Sequence, residues 1–313
     1  MLDSLLVVLP IFALILTGWI ARRSGALGPT ATGEVNRLVV NLALPALLFD
    51  IVTRAEPADL WQPGFITAFG LGLAVVFVGT TLVSRARGRH LADAAIDGLN
   101  AGYPNTGYVG FPLVIVLFGQ SGLGVTLLAT IMTACVLFAV GLAVIESALH
   151  SGTRREIATK TIVSLARNPL VIAPVLGAAV LFSGIPMPEA ASRFVEMLGA
   201  AASPCALVAL GLFLADDNGS ESGSIATTTA LTGLKLVVQP AITWVIAVPI
   251  LDLPPMTAAI AVLIAALPTG TGPFMLAQKY NRSAALTARM VLVTTLISVV
   301  TLSALISLVG RPA

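Results

Sequence analysis

Apolar runs of roughly 20 residues recur along the whole chain, and no other feature constrains its fold as strongly. They fall near 2–21, 36–53, 62–84, 92–118, 122–147, 162–183, 193–214, 225–250, 255–279 and 285–308. A helix of that length crosses the ~30 Å hydrocarbon layer of a bilayer. The runs are twice the length of an outer-membrane barrel strand and lack its alternation of apolar and polar residues. Only 10% of the 313 residues are charged and 57% are apolar, with a mean hydropathy of +0.98. A water-facing domain usually carries about 25% charged residues. These features predict an all-α integral membrane protein of ten transmembrane helices. The first run, Leu2 to Ile20, lacks a basic leader and a small-residue cleavage site, so it reads as a span and not as a signal peptide. Cys135 and Cys205 sit inside apolar runs as small hydrophobes and suggest neither a disulfide nor a metal site.

Connections between runs are short, which leaves no attached soluble domain. The longest polar stretch, His150 to Lys160, divides the chain into two five-helix halves, 1–150 and 151–313. An even number of spans puts both termini on one side. Loops on the other side hold Arg22, Arg23, Arg37, Arg85, Arg87, Arg89, Arg154, Arg155, Lys160, Arg167, Lys279, Arg282 and Arg289, against Arg54, Arg193 and Arg311 on the terminal side. Basic loops stay cytoplasmic. Both termini are therefore expected on the outer face of a plasma membrane, which in a bacterium is the inner membrane.

The two halves echo each other. Offset by 159 positions, Pro10 meets Pro169, Gly18 meets Gly177, Gly25 meets Gly184, Pro29 meets Pro188 and Pro45 meets Pro204. An offset of 164 takes Pro104 to Pro268. With five spans per half, an odd number, the second half must enter the membrane from the opposite side. Inverted repeats of this kind mark secondary transporters, whose solute site lies at the repeat interface, although some channels share the symmetry.

The fourth run contains Gly102-Tyr-Pro-Asn-Thr-Gly-Tyr-Val-Gly-Phe-Pro112, and the ninth contains Leu267-Pro-Thr-Gly-Thr-Gly-Pro-Phe274. Proline deletes a backbone donor and glycine loosens what remains, so both helices should break. The freed groups cannot face lipid and must meet protein, water or a solute. Matching breaks in two halves point to a transport site, where half-helix N-termini favour an anion such as a carboxylate. Asn105, Thr106, Thr269 and Thr271 offer neutral hydrogen bonds there, and Asn105 can both donate and accept.

Asn105-Thr-Gly-Tyr-Val-Gly-Phe-Pro-Leu113 resembles the Asn-Thr-…-Gly-Ile-Pro-Leu signature of the auxin efflux carriers. Ala266-Leu-Pro-Thr-Gly-Thr-Gly-Pro-Phe-Met-Leu-Ala277 is similar to their Ala-Leu-Pro-x-Gly-x-x-Pro-Phe-x-x-Ala stretch, and Arg167-Asn-Pro169 and Lys235-…-Gln239-Pro240-Ala241 match further family positions. The long central loop of the plant carriers is missing, as in their short bacterial relatives, the malate or malonate permeases. The resemblance implies that helices 4 and 9 cross near Pro112 and Pro273 at mid-membrane and form the solute site. It also implies a scaffold of helices 1, 2, 6 and 7, against which helices 3–5 and 8–10 slide as an elevator. The expected solute is a small organic anion, malate- or malonate-like or auxin-like. Asn105 becomes the crossover asparagine, and the candidate contacts are Asn105, Thr106, Gly107, Pro112, Thr269, Gly270, Thr271, Pro273 and Asn41.

Charges inside spans need their own account. Lys235 lies near the centre of the eighth run, where it could neutralise an anion, stand in for a coupling cation, snorkel to an interface, or pair structurally with an acid such as Asp50 or Asp97. Asp97 could carry a proton or sit at the cytoplasmic interface. Asn41 and Gln239 read first as helix–helix hydrogen-bonding residues, and Asn41, four residues before Pro45, could instead serve freed backbone or solute. Glu146 reads as snorkelling at the inner end of the fifth run, and Asp216-Asp217-Asn218-Gly219 with Glu221 as a solvated turn. There are no paired catalytic aspartates, His-Glu-x-x-His motif, Ser-His pair or nucleotide-binding loop, so the chain is not expected to be an enzyme. The remaining alternatives to a carrier are a channel and a solute-sensing receptor. No cofactor or nucleic-acid partner is expected. Coupling to H+ or Na+ and assembly as a homodimer stay open.

Overall fold

The computed structural model describes residues 2–55, 61–216, 225–282 and 284–309. Arg311 and the Asp217–Glu221 part of the expected turn lie outside the described residues. The described residues form helices and no strand: α1 (Leu2–Arg23), α2 (Ala31–Thr53), α3 (Pro63–Ala86), α4 (Leu91–Gly102), α5 (Phe111–Phe118), α6 (Leu123–Leu149), α7 (Arg154–Arg167), α8 (Pro169–Ser183), α9 (Glu189–Asp216), α10 (Ile225–Ile250), α11 (Pro255–Ala265), α12 (Gly272–Lys279) and α13 (Ala284–Val309). Among them, α2, α3, α6, α9, α10 and α13 are long and apolar enough to cross a membrane, and α7 with α8, bent by 64°, would add a seventh. Within the fourth run one helix ends at Gly102 and α5 begins at Phe111, and within the ninth α11 ends at Ala265 and α12 begins at Gly272.

Local chemistry explains these boundaries. Thr153 and Glu156 close a capping box at the start of α7, with Glu156 Oε2 accepting from the Thr153 amide at 2.7 Å. Asn168 caps α8 through Leu170 N at 3.1 Å, and Pro169 occupies the first turn, where a missing N–H costs nothing. Wide π turns at Val39–Ala43 and Leu234–Val238 each end two residues before a proline, Pro45 and Pro240. Each proline ring would clash with the carbonyl four residues back, and the widened turn contains that carbonyl.

Several helix pairs pack backbone to backbone, α1 with α9 first and α8 with α2 second among them. A Cβ at Gly18 of α1 would fall 2.2 Å from the Val208 carbonyl of α9, and one at Gly211 1.9 Å from the Ile15 carbonyl. In the second pair, a Cβ at Gly177 of α8 would fall 2.9 Å from the Phe49 carbonyl of α2. Without a hydrophobic drive between helices in lipid, small residues gain contact by letting backbones approach. The outer faces stay apolar: Val175, Phe182 and Met197 are 63%, 72% and 75% exposed. Charges gather at helix ends, where Arg54 meets Asp50 at 2.8 Å and Glu196 at 3.0 Å, and Arg22 meets Asp216. Asp93 at the start of α4 takes a bidentate bond from Arg282, just past α12, at 3.0 and 2.8 Å.

Candidate functional site

The interrupted runs meet at their interruptions. Beyond Gly102 the chain turns extended at Tyr103, and Pro104 pairs antiparallel with Thr269. The Asn105 amide donates to Pro268 O at 2.8 Å, and the Gly270 amide to Tyr103 O at 3.0 Å. Each break thus satisfies part of the other's freed backbone.

The remaining orphans can be followed one by one, since buried carbonyls must find donors. In an unbroken helix Asn100 O would accept from residue 104, but Pro104 has no N–H. Thr269 Oγ1 supplies the donor at 2.8 Å. Gly102 O receives Gln239 Nε2 at 3.0 Å. The Thr269 amide turns to Thr294 Oγ1 at 3.0 Å, which deprives Ala265 O of its helical donor. Lys235 Nζ replaces it at 2.7 Å. Lys235 and Gln239, both fully buried, stand one turn apart on α10 and cap the carbonyl ends of the first half-helices, α11 and α4. Cations and donors suit the negative end of a helix dipole.

The second half-helices start at the same place. Asn105 O accepts from Val109 N and Gly110 N, both at 3.2 Å, and Thr271 O accepts from Met275 N at 3.1 Å. Pro112 and Pro273 occupy the first turns of α5 and α12. Gly270 and Gly272 lie against the Tyr103 ring, where added Cβ atoms would come within 3.0 and 2.8 Å.

A cavity of ≈ 380 Å³ opens beside the paired breaks. Its break side is Tyr103 to Gly107, Phe111, Gly270 to Gly272 and Met275, with Thr130 and Ala134 of α6. The facing wall is Val39, Leu44, Leu47 and Ile51 of α2 and Gly199, Ala200, Ala202, Ser203, Pro204 and Ala206 of α9. None of these lining residues is charged. A larger cavity of ≈ 630 Å³ lies at the basic end, between Glu146, His150, Lys160, Arg167, Lys279 and Tyr280. There Tyr280 Oη donates to Glu146, and burial, then that carboxylate, push the Tyr280 hydroxyl well above its usual range. Among the described residues no group of three or more His, Cys, Asp or Glu could hold a metal.

Of the residues singled out in the sequence, Asn105, Thr106, Gly107, Gly270 and Thr271 line the smaller cavity. Thr269 is spent on the Asn100 carbonyl, and Pro112 and Pro273 start half-helices. Asn41 is exposed and donates to Arg37 O of its own helix at 2.9 Å, away from the cavity and from any other helix. Lys235 pairs with neither Asp50 nor Asp97. Those acids face Arg54 and Arg89, each at 2.8 Å, and Asp97 is buried where an interfacial acid would be wet. Glu146 is also buried under Tyr280 and does not snorkel. Sequence reasoning missed Tyr103, the α2 and α9 walls and the capping role of Gln239. The Lys235–Gln239 spacing of four could have signalled the last.

Six or seven helical spans among the described residues, with backbone re-bonded beside a cavity, define a multi-pass membrane protein. The sequence profile of the Membrane transport protein family matches residues 4–306, so the chain belongs to that family, which includes the auxin efflux carriers. A Rhizobium meliloti (strain 1021) protein, assigned by name and provisionally to malonate transport, is 30% identical, covering 98% of this chain and 96% of its own length. An uncharacterized Escherichia coli (strain K12) transporter, YfdV, is 30% identical over 74% of each chain. Auxin efflux carrier component 8 of Arabidopsis thaliana is 24% identical over 87% of this chain and 88% of its own. The chain is a membrane transporter and not an enzyme.

Proposed function

We propose that the protein is a secondary carrier of a small organic anion, and that the solute sits in the ≈ 380 Å³ cavity beside the paired breaks. The observation that carries this reading is the composition of the cavity walls. One wall is the broken backbone with Asn105, Thr106 and Thr271, and the other is made of α2 and α9. A solute there touches two sets of helices, as alternating access requires.

In this reading ten spans form two inverted repeats, 1–150 and 151–313, whose broken spans cross at mid-membrane. The reciprocal contacts support it: an offset of 159 relates Gly18 to Gly177 and Phe49 to Val208, so the α1–α9 and α8–α2 contacts are symmetry mates. The scaffold is α1, α2, α7 with α8, and α9. The transport body is α3–α6 and α10–α13, and it moves as an elevator. Both termini face outward from the plasma membrane. Malate- or malonate-like carboxylates are the leading solutes, with auxin-like acids behind them. Lys235 and Asp97 take no part in contacting the solute.

Uptake of labelled malate, malonate, citrate and indole-3-acetate into proteoliposomes tests the carrier. Saturable uptake of an anion, stimulated by the same anion trapped inside, is expected. Asn105→Ala should lower affinity about tenfold or more, the loss of one or two hydrogen bonds to a charged group. Flux without counterflow would make the protein a channel, and binding without flux a receptor.

A further inference from the structure

We propose that the cavity accepts one negative charge and no more, so that a dicarboxylate passes only in its half-protonated form. The inference rests on the carrier reading above and adds the charge state of the solute to it.

The cavity offers little to balance charge. None of its lining residues is Asp, Glu, Lys, Arg or His. Among the described residues Lys235 is the one buried Lys or Arg, and it is bonded to Ala265 O behind the break. Arg54, just past the α2 wall, is held by Asp50 and Glu196. What remains positive is the pair of half-helix N-termini, the helical turn Thr106–Gly110 that leads into α5 and the start of α12 at Thr271 and Gly272, which open on the cavity. A helix N-terminus is equivalent to roughly half an elementary charge. Two of them balance about one carboxylate and leave a second without a partner. An uncompensated charge out of water takes up a proton before it is buried.

The neutral groups fit the same solute. Asn105 Oδ1 and the hydroxyls of Thr106, Thr271 and Ser203 can accept from the O–H of a protonated acid as readily as they donate to a carboxylate. Val39, Leu44, Leu47 and Ile51 meet the uncharged remainder of the molecule. In a dicarboxylic acid the first charge disfavours the second, which raises the second pKa and keeps the half-protonated form available near neutrality.

The test is initial uptake by the intact protein in proteoliposomes, with equal pH inside and out, between about pH 8 and about pH 5. The probes are labelled malonate and its monomethyl ester, which carries a single carboxylate throughout. Half-ester uptake is expected to stay flat. Malonate uptake, at a fixed subsaturating concentration, should rise about tenfold per unit fall in pH until the monoanion predominates. A flat half-ester profile also excludes titration of the protein as the cause. Malonate uptake that is constant or rises with pH, with a half-ester that neither enters nor competes, would overturn the inference and leave the carrier reading standing. Uptake of neither acid by folded protein would remove the carboxylate reading itself, and this inference with it.

Discussion

Thr269 shows how closely the breaks depend on single side chains. Its hydroxyl replaces the donor that Pro104 cannot supply to Asn100 O, at a fully buried position. Thr269→Val keeps the shape and removes the donor, so it should cost about 1–3 kcal/mol, the penalty for an orphaned buried carbonyl. Thr269→Ser should restore most of it. Thermal unfolding of the purified protein in detergent reads both, and equal midpoints for the two variants would refute the assignment. Lys235 and Gln239 act by the same physics. A charged residue at a span centre invites a role in binding, yet its ammonium already has a carbonyl to serve. Residue type and depth alone could not distinguish these uses, because the partner comes from another helix 30 positions away.

Among helices, the closeness of α1 to α9 decides what the sequence tolerates. Gly18→Ala puts a methyl group against a main-chain carbonyl that cannot rotate away. It should destabilise by about 1–3 kcal/mol, as overpacking does. Gly79→Ala is the contrasting change: nothing lies within 4 Å of the added carbon, and the helix-propensity gain is up to about 1 kcal/mol. Chemical or thermal denaturation should therefore move in opposite directions for the two. A Gly18→Ala protein as stable as wild type would mean that the helices stand further apart. Gly18 and Gly177 are related by the repeat offset, so the sequence hinted at their importance. Which carbonyl each one faces depended on the packing.

For the whole molecule, the proposed orientation is a statement about where charge lies. In a background with Cys135 and Cys205 replaced by alanine, Trp61→Cys should react with a membrane-impermeant thiol reagent added to intact cells. Arg87→Cys should react only after permeabilisation. Both native positions are exposed, so access is not the limit. The reversed pattern would turn the molecule over, and with it the basic ≈ 630 Å³ cavity at Lys160, Arg167 and Lys279.

The sequence alone determined the solvent, the class and the places where helices fail. These follow from composition, run length and proline chemistry, which act locally whatever the chain folds into. It pointed to five of the residues that line the cavity, because Gly, Asn and Thr in mid-span are conspicuous against leucine and alanine. Only the tertiary structure decided that the breaks bond to each other, that Lys235 and Gln239 cap them, and that ordinary apolar residues of α2 and α9 close the cavity. A leucine facing a cavity and a leucine facing lipid satisfy the same transfer energetics. Only the neighbour across the gap tells them apart.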